Sequence, residues 1–160
     1  MTVTIQDEIS ALLGSLNSAQ LATLNADHQA EISYTPYLKL EDSFFIFISE
    51  LATHTQNLKT HHQLSLMFIE DESSSQTVFA RKRLILECQS LLINREDEKW
   101  ERTLLAFEAA QGPTIQLLKT LPDFCLFELT SVKGSFVKGF GQAYRLSGKN
   151  YTEVVQIKAS

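Results

Sequence analysis

The stretch Ala30-Glu31-Ile32-Ser33-Tyr34-Thr35-Pro36-Tyr37-Leu38-Lys39-Leu40, followed by Glu41-Asp42-Ser43 and Phe44-Phe45-Ile46-Phe47-Ile48, decides the fold. The first run alternates with a period of two. Ile32, Tyr34, Leu38 and Leu40 share one face of a strand; Glu31, Ser33, Thr35, Tyr37 and Lys39 share the other. Pro36 has no N–H to give a ladder, so this strand lies at an edge or bulges there. Glu41-Asp42-Ser43 reads as a turn. Phe44–Ile48 is apolar throughout, which fits a strand buried on both faces.

Further strands flank this pair. Upstream, Leu21–Leu24 is a short apolar strand closed by a turn at Asn25–His28. Before it, Ile5, Ile9, Leu12, Leu13 and Leu16 recur with helical spacing over about residues 4–16. Thr4 can cap that helix, and Asp7 and Glu8 suit its positive end. Downstream, Leu64–Ile69, Leu84–Ile93, Phe124–Thr130, a strand at Phe136-Val137 and Gln142–Leu146 read as strands. Helices fall at about Thr55–His61, at Asp97–Ala110 through Trp100, Leu104 and Phe107, and after Pro113. The tail beyond Gly148 either pairs or frays. Short turns and no βαβ alternation predict a mainly β (α+β) fold: a closed antiparallel barrel with peripheral helices. One domain over 1–160 is expected, with its core at about 18–146.

Composition narrows the class. The chain has 160 residues, 44% of them hydrophobic and 21% charged, enough for a core without disulfides or metal staples. Its two cysteines, Cys88 and Cys125, exclude a disulfide framework and read as core residues. A net charge of -5 argues against a dedicated nucleic-acid binder. No apolar run approaches the ~20 residues of a membrane span, and the acidic start lacks the features of a secretory signal. A soluble cytoplasmic protein is expected.

Two places carry candidate chemistry. Ser49-Glu50-Leu51-Ala52-Thr53-His54-Thr55-Gln56-Asn57-Leu58 runs from a buried strand into a helix. Thr53 and Gln56 match a capping box, and the helix start attracts anions, with hydroxyls from Ser49, Thr53 and Thr55 and charge from Lys59. The plainer alternative is an ordinary capped helix. The second place is Phe79-Ala80-Arg81-Lys82-Arg83-Leu84, where strand geometry would point Arg81 and Arg83 the same way, to clamp a phosphate or propionate. A solvated strand end is the alternative. The histidines are His28, His54, His61 and His62, with no H-E-x-x-H spacing. Gly139-Phe140-Gly141 lacks the third glycine of a nucleotide loop and reads as a bend or bulge. G-x-S-x-G and P-loop motifs are absent.

Together with Leu21-Ala22-Thr23-Leu24, Ser33-Tyr34-Thr35-Pro36-Tyr37 and Gly134–Tyr144, these stretches resemble the haem-utilisation proteins of the HugZ/HutZ type. Those belong to the pyridoxamine-phosphate-oxidase-like, FMN-binding split-barrel superfamily. The similarity runs from about Ser18 to Leu146. It implies an antiparallel six-stranded split β-barrel that forms a homodimer, with cofactor sites in the clefts between subunits. In FMN-binding relatives the stretch matching Ser49–Thr55 cradles the phosphate, but His54 and Thr55 stand where an Arg-Lys pair is usual. In the haem branch a tail histidine binds iron and a strand arginine lies on the distal side. Arg81 or Arg83 matches that arginine. No histidine follows His62, so against that pattern His54, His61 and His62 are the substitutes, with His54 and His61 the expected iron-ligand candidates. The expected function is haem binding, with oxygen-dependent haem degradation fed by an external electron donor. The expected cofactor-binding set is Ser49, Thr53, His54, Thr55, Asn57, Arg81 and Arg83. The alternatives are an FMN oxidoreductase, using Ser49, Thr53, Thr55 and Arg81, and a non-enzymatic haem carrier or storage protein.

Overall fold

The computed structural model describes residues 2–160. Helix α1 (Ile5–Gly14) opens the chain, followed by β1 (Ser18–Leu24), β2 (Ala30–Pro36), β3 (Leu38–Leu40) and β4 (Ser43–Ser49). Then come α2 (Thr53–Thr60), β5 (Gln63–Ile69), β6 (Arg83–Ile93), α3 (Glu98–Gln111) and α4 (Thr114–Lys119), and finally β7 (Phe124–Gly139), β8 (Gln142–Ser147) and β9 (Glu153–Ile157). All strand pairs are antiparallel, in the order β2-β1-β5-β6-β7-β4-β3. β8 and β9 continue the sheet beyond the second half of β7. The barrel consists of the six long strands β1, β2, β4, β5, β6 and β7; β3 is what remains of the alternating run after Pro36 breaks it.

Local chemistry sets the element ends. Thr4 caps α1 in a reciprocal capping box with Asp7. The Asn25 side chain accepts from the amides of Asp27 and Gln29 and closes the β1–β2 turn, in which His28 takes a left-handed backbone (φ 60°). Gly112 (φ 100°) ends α3, as its lack of a Cβ permits. Gly139-Phe140-Gly141 forms the β7–β8 turn beside a register shift between Val137 and Gly139. The tail pairs, as β9. β7 is one 16-residue strand where the sequence suggested two.

Two apolar layers result. Inside the barrel, Leu21, Phe44, Ile46, Leu66, Phe68, Leu86, Phe127 and Phe136 pack with Ile9, Leu12 and Leu13 of α1. On the outside of β4, Phe45 and Phe47 join Leu38, Ile93 and Leu126 beneath Trp100, Leu104 and Phe107 of α3. β4 is therefore buried on both faces, as its composition predicts. Each fully buried Phe contributes roughly 1.5–3 kcal/mol of transfer free energy. On β2 the alternation runs opposite to ordinary amphipathic packing. Thr35 faces inward and is buried, while the apolar Ile32 and Tyr34 face outward and are 79% and 70% exposed. Leu38, on the same side, is covered by α3, which does not reach Ile32.

Candidate functional site

The strand-to-helix connection is built differently from the expected anion cradle. Ala52, not Thr53, is the N-cap of α2, and no side chain caps the helix. The Thr53–Gln56 capping box does not form, because Gln56 donates to the Glu50 carbonyl instead. The Ser49 hydroxyl donates to the Asp123 carboxylate (2.6 Å) and accepts from the Leu51 amide. The Thr55 hydroxyl is fully buried and donates to the Ser49 carbonyl (2.6 Å). Lys59 pairs with Glu50, and that ion pair holds the Glu50 carboxyl below its ordinary range. Asn57 is buried and donates to Thr23 Oγ1 (3.0 Å) and to the Glu31 carboxylate (3.1 Å), tying α2 to the inner side of β1 and β2. Of the expected hydroxyl donors only Thr53 is exposed and uncommitted among the described residues. The carboxylates of Glu50 and Asp123 lie beside this connection, Glu50 paired with Lys59 and Asp123 accepting from Ser49, so two of the groups expected to meet an anion are engaged within the chain.

His54 is half-buried, and its Nδ1 lies 2.8 Å from Ser33 Oγ on β2. Burial lowers its pKa, so the ring is neutral at neutral pH. In the tautomer that donates from Nδ1 to Ser33 the Nε2 lone pair is free, the arrangement usual for a metal-ligating imidazole, and in the other tautomer Nδ1 accepts from the Ser33 hydroxyl. His61 ends α2 and lies against His28, with ring centroids 4.5 Å apart. His54 and His61 therefore belong to different clusters.

The basic triplet is also split. β6 begins at Arg83, so Arg81 lies outside the strand and the strand-neighbour geometry expected of the pair does not apply. Arg81 donates from Nε to the Glu70 carbonyl (3.0 Å) and sits 3.9 Å from Glu72, which ties down the loop before it. Arg83 is partly buried on the outward face and makes one hydrogen bond, to the Arg81 carbonyl (3.1 Å). Register places Arg83 between Ile69 and Val137. The next outward row runs Tyr34, Gln20, Met67, Ile85, Ser135, Arg145 and Val155, a mixed row of four apolar or aromatic side chains with a second arginine, the exposed Arg145. A cleft of about 650 Å³ opens on the same face, lined by Ala22, Ser65, Glu87, Val132 and Lys133, where β7 passes from β4 to β8.

Arg83 pairs with Ile69 at one end of β5, while α2 leads into Gln63 at the other. Six residue steps of strand separate those ends, roughly 20 Å. One barrel thus does not bring Arg83 together with Ser49, Thr53, His54, Thr55 and Asn57. The uncovered outward face was missed in the sequence, although the alternation of Ile32 and Tyr34 on a Pro-marked edge strand was its signal.

The family described as pyridoxamine 5'-phosphate oxidase matches residues 5–138. The haem oxygenase HutZ of Vibrio cholerae serotype O1 is 36% identical over 154 residues, covering 96% of this chain and 88% of HutZ. A crystal structure of HutZ, described as the haem storage protein from Vibrio cholerae, superposes with a TM-score of 0.77 at 33% identity, over 82% of this chain and 91% of that one. The crystal structure of Campylobacter jejuni ChuZ gives a TM-score of 0.86 at 34% identity, over 96% of this chain and 62% of ChuZ. The chain belongs to the HutZ-like haem-utilisation family, within the pyridoxamine 5'-phosphate oxidase-like split-barrel superfamily.

Proposed function

We propose that this chain is a cytoplasmic haem-binding protein that works as a homodimer, with haem rather than FMN in the cleft between subunits. The observation that carries this reading is a contrast within the barrel. Two of the three hydroxyls that would hold a flavin phosphate, those of Ser49 and Thr55, are spent on the chain's own carboxylate and carbonyl groups, while an outward face that combines exposed Ile32 and Tyr34 with Arg83 and Arg145 stands open. A planar apolar cofactor with two carboxylates suits such a face. Because Arg83 and α2 lie at opposite ends of β5, a two-fold partner is needed to bring one subunit's arginine near the other's helix.

Arg83 would hold a propionate or donate a hydrogen bond on the distal side. Arg81, already bound to Glu70, would position the Arg83 guanidinium through its carbonyl. His54 would be the iron ligand, oriented by Ser33 and kept neutral by burial. Haem, when bound, supplies the oxygen chemistry that opens its own ring, with electrons from an external donor. HutZ is described both as a haem oxygenase and as a haem storage protein, so a carrier without turnover is the second reading.

Hemin titration of the apoprotein tests both. A Soret shift saturating at a fixed ratio is expected, weakened in Arg83→Ala and altered in spin state in His54→Ala. No shift, or yellow protein that retains FMN through purification, would overturn the haem reading. With ascorbate and oxygen, bleaching of the Soret band indicates the oxygenase; an unchanged band indicates the carrier.

A further inference from the structure

We propose that His28 and His61 form a two-histidine site for a divalent transition cation, separate from the cofactor cleft. The two histidines come from different elements, and the backbone of each is fixed. His28 is held by the Asn25-closed turn, where its amide donates to the Asn25 carbonyl (3.0 Å) and its backbone is left-handed. His61 is fixed by its amide's bond to the Asn57 carbonyl (2.7 Å). Asn25 and Asn57 both donate to the Glu31 carboxylate, which braces the turn and the helix end against each other. Between these supports the imidazoles lie 4.5 Å apart, centroid to centroid, tilted by 55°.

Two features point to a ligand. The Nε2 of His61 is buried and has no hydrogen-bond partner among the described residues. An unsatisfied buried nitrogen destabilises the fold, and a bound cation would offset that cost. A second imidazole is also within reach. Two imidazoles bound to one ion at about 2.1 Å place their ring centroids roughly 4.5–5.5 Å apart, and the tilted packing of His28 on His61 already holds them at 4.5 Å, so a rotation of His28 would bring its nitrogen to the ion. His28 is exposed, so its ring can turn to admit an ion to the His61 nitrogen. Two imidazole nitrogens with water completing the shell select a borderline cation such as Zn²⁺, Ni²⁺ or Cu²⁺ over Mg²⁺ or Ca²⁺. Such an ion would tie the β1–β2 turn to the C-terminal end of α2.

The test is calorimetric titration of tag-free, haem-free protein with ZnCl₂ and NiCl₂, each with MgCl₂ as comparison. One Zn²⁺ or Ni²⁺ per chain is expected, with a raised melting temperature and no response to Mg²⁺. His28→Asn keeps the left-handed turn without the imidazole, and His61→Gln keeps a polar side chain at the helix end. Since losing an outer-shell partner alone costs 10–100-fold in affinity, each variant should weaken binding by about tenfold or more. His62→Ala should bind as the parent does, and hemin titration should be unchanged in all three. No saturable binding, binding that survives both His28→Asn and His61→Gln, or binding lost only with His62 would overturn the site. Loss of hemin binding together with Zn²⁺ binding would overturn its separateness.

Discussion

Tyr37 shows how one side chain joins two layers. Its hydroxyl donates to the Leu13 carbonyl (2.7 Å) and lies 3.0 Å from that of Leu16, while its ring packs edge-on against Phe68. It therefore latches the end of α1 onto the barrel. Burial pushes its pKa up to about 12. The neutral form is favoured in the folded state, so this contribution to stability is complete below pH 10 and is lost as pH rises from 10 to 12. Two units correspond to at most roughly 2–3 kcal/mol. Tyr37→Phe should lose about 1–2 kcal/mol at pH 7 and should also lose that segment of the alkaline decline. Urea unfolding of both proteins at pH 7, 10 and 11 checks this. An identical alkaline slope in the two proteins would show that the hydroxyl does not titrate as described.

Among the elements, β7 has the most demanding position, because it pairs with β4 through its first half and β8 through its second, with β6 along its length. Gly134 sits where β6 and β7 approach closely; a β-carbon there would collide with the Ile85 carbonyl oxygen and the Leu86 side chain. Gly134→Ala should therefore cost about 1–3 kcal/mol, toward the upper end because the obstructing atom is backbone. A fall in the urea midpoint with unchanged slope would fit; an unchanged midpoint would not. Element type was largely legible in the sequence: the α1 cap, the Asn25 turn, the Pro36 break and the doubly buried β4 all follow from local rules. Strand order was not, since β4 meets β7 about 75–87 residues later and periodicity carries no partner. Nor was the direction of β2 legible, because a period of two groups Ile32 with Tyr34 without saying which side is covered. At the candidate site the residue types were visible, but Asp123 taking the Ser49 hydroxyl is a long-range pairing that no local motif reports.

For the whole molecule, the open outward face is the decisive property. If it is the subunit interface, scattering or sedimentation should give twice the chain mass. Ile32→Asp combined with Tyr34→Asp should then weaken dimerisation at least about tenfold, along with hemin affinity, while leaving the fold intact because both side chains are already exposed. A parent protein that is monomeric at micromolar concentration would remove the shared cleft. The pairing of β4 with β7 also has a consequence for how the protein is made. Of Phe44–Ile48, the most apolar stretch of the chain, Phe44 and Phe45 gain β3 as a neighbour at once, but the other edge must wait for Phe124–Thr130. At ribosomal speeds of about 5–20 residues per second, that edge stays unpaired for roughly 4–15 s in every nascent chain. During that interval a newly made molecule offers a sticky strand to its neighbours, so yield in the cell should depend on how quickly the last third of the chain is delivered.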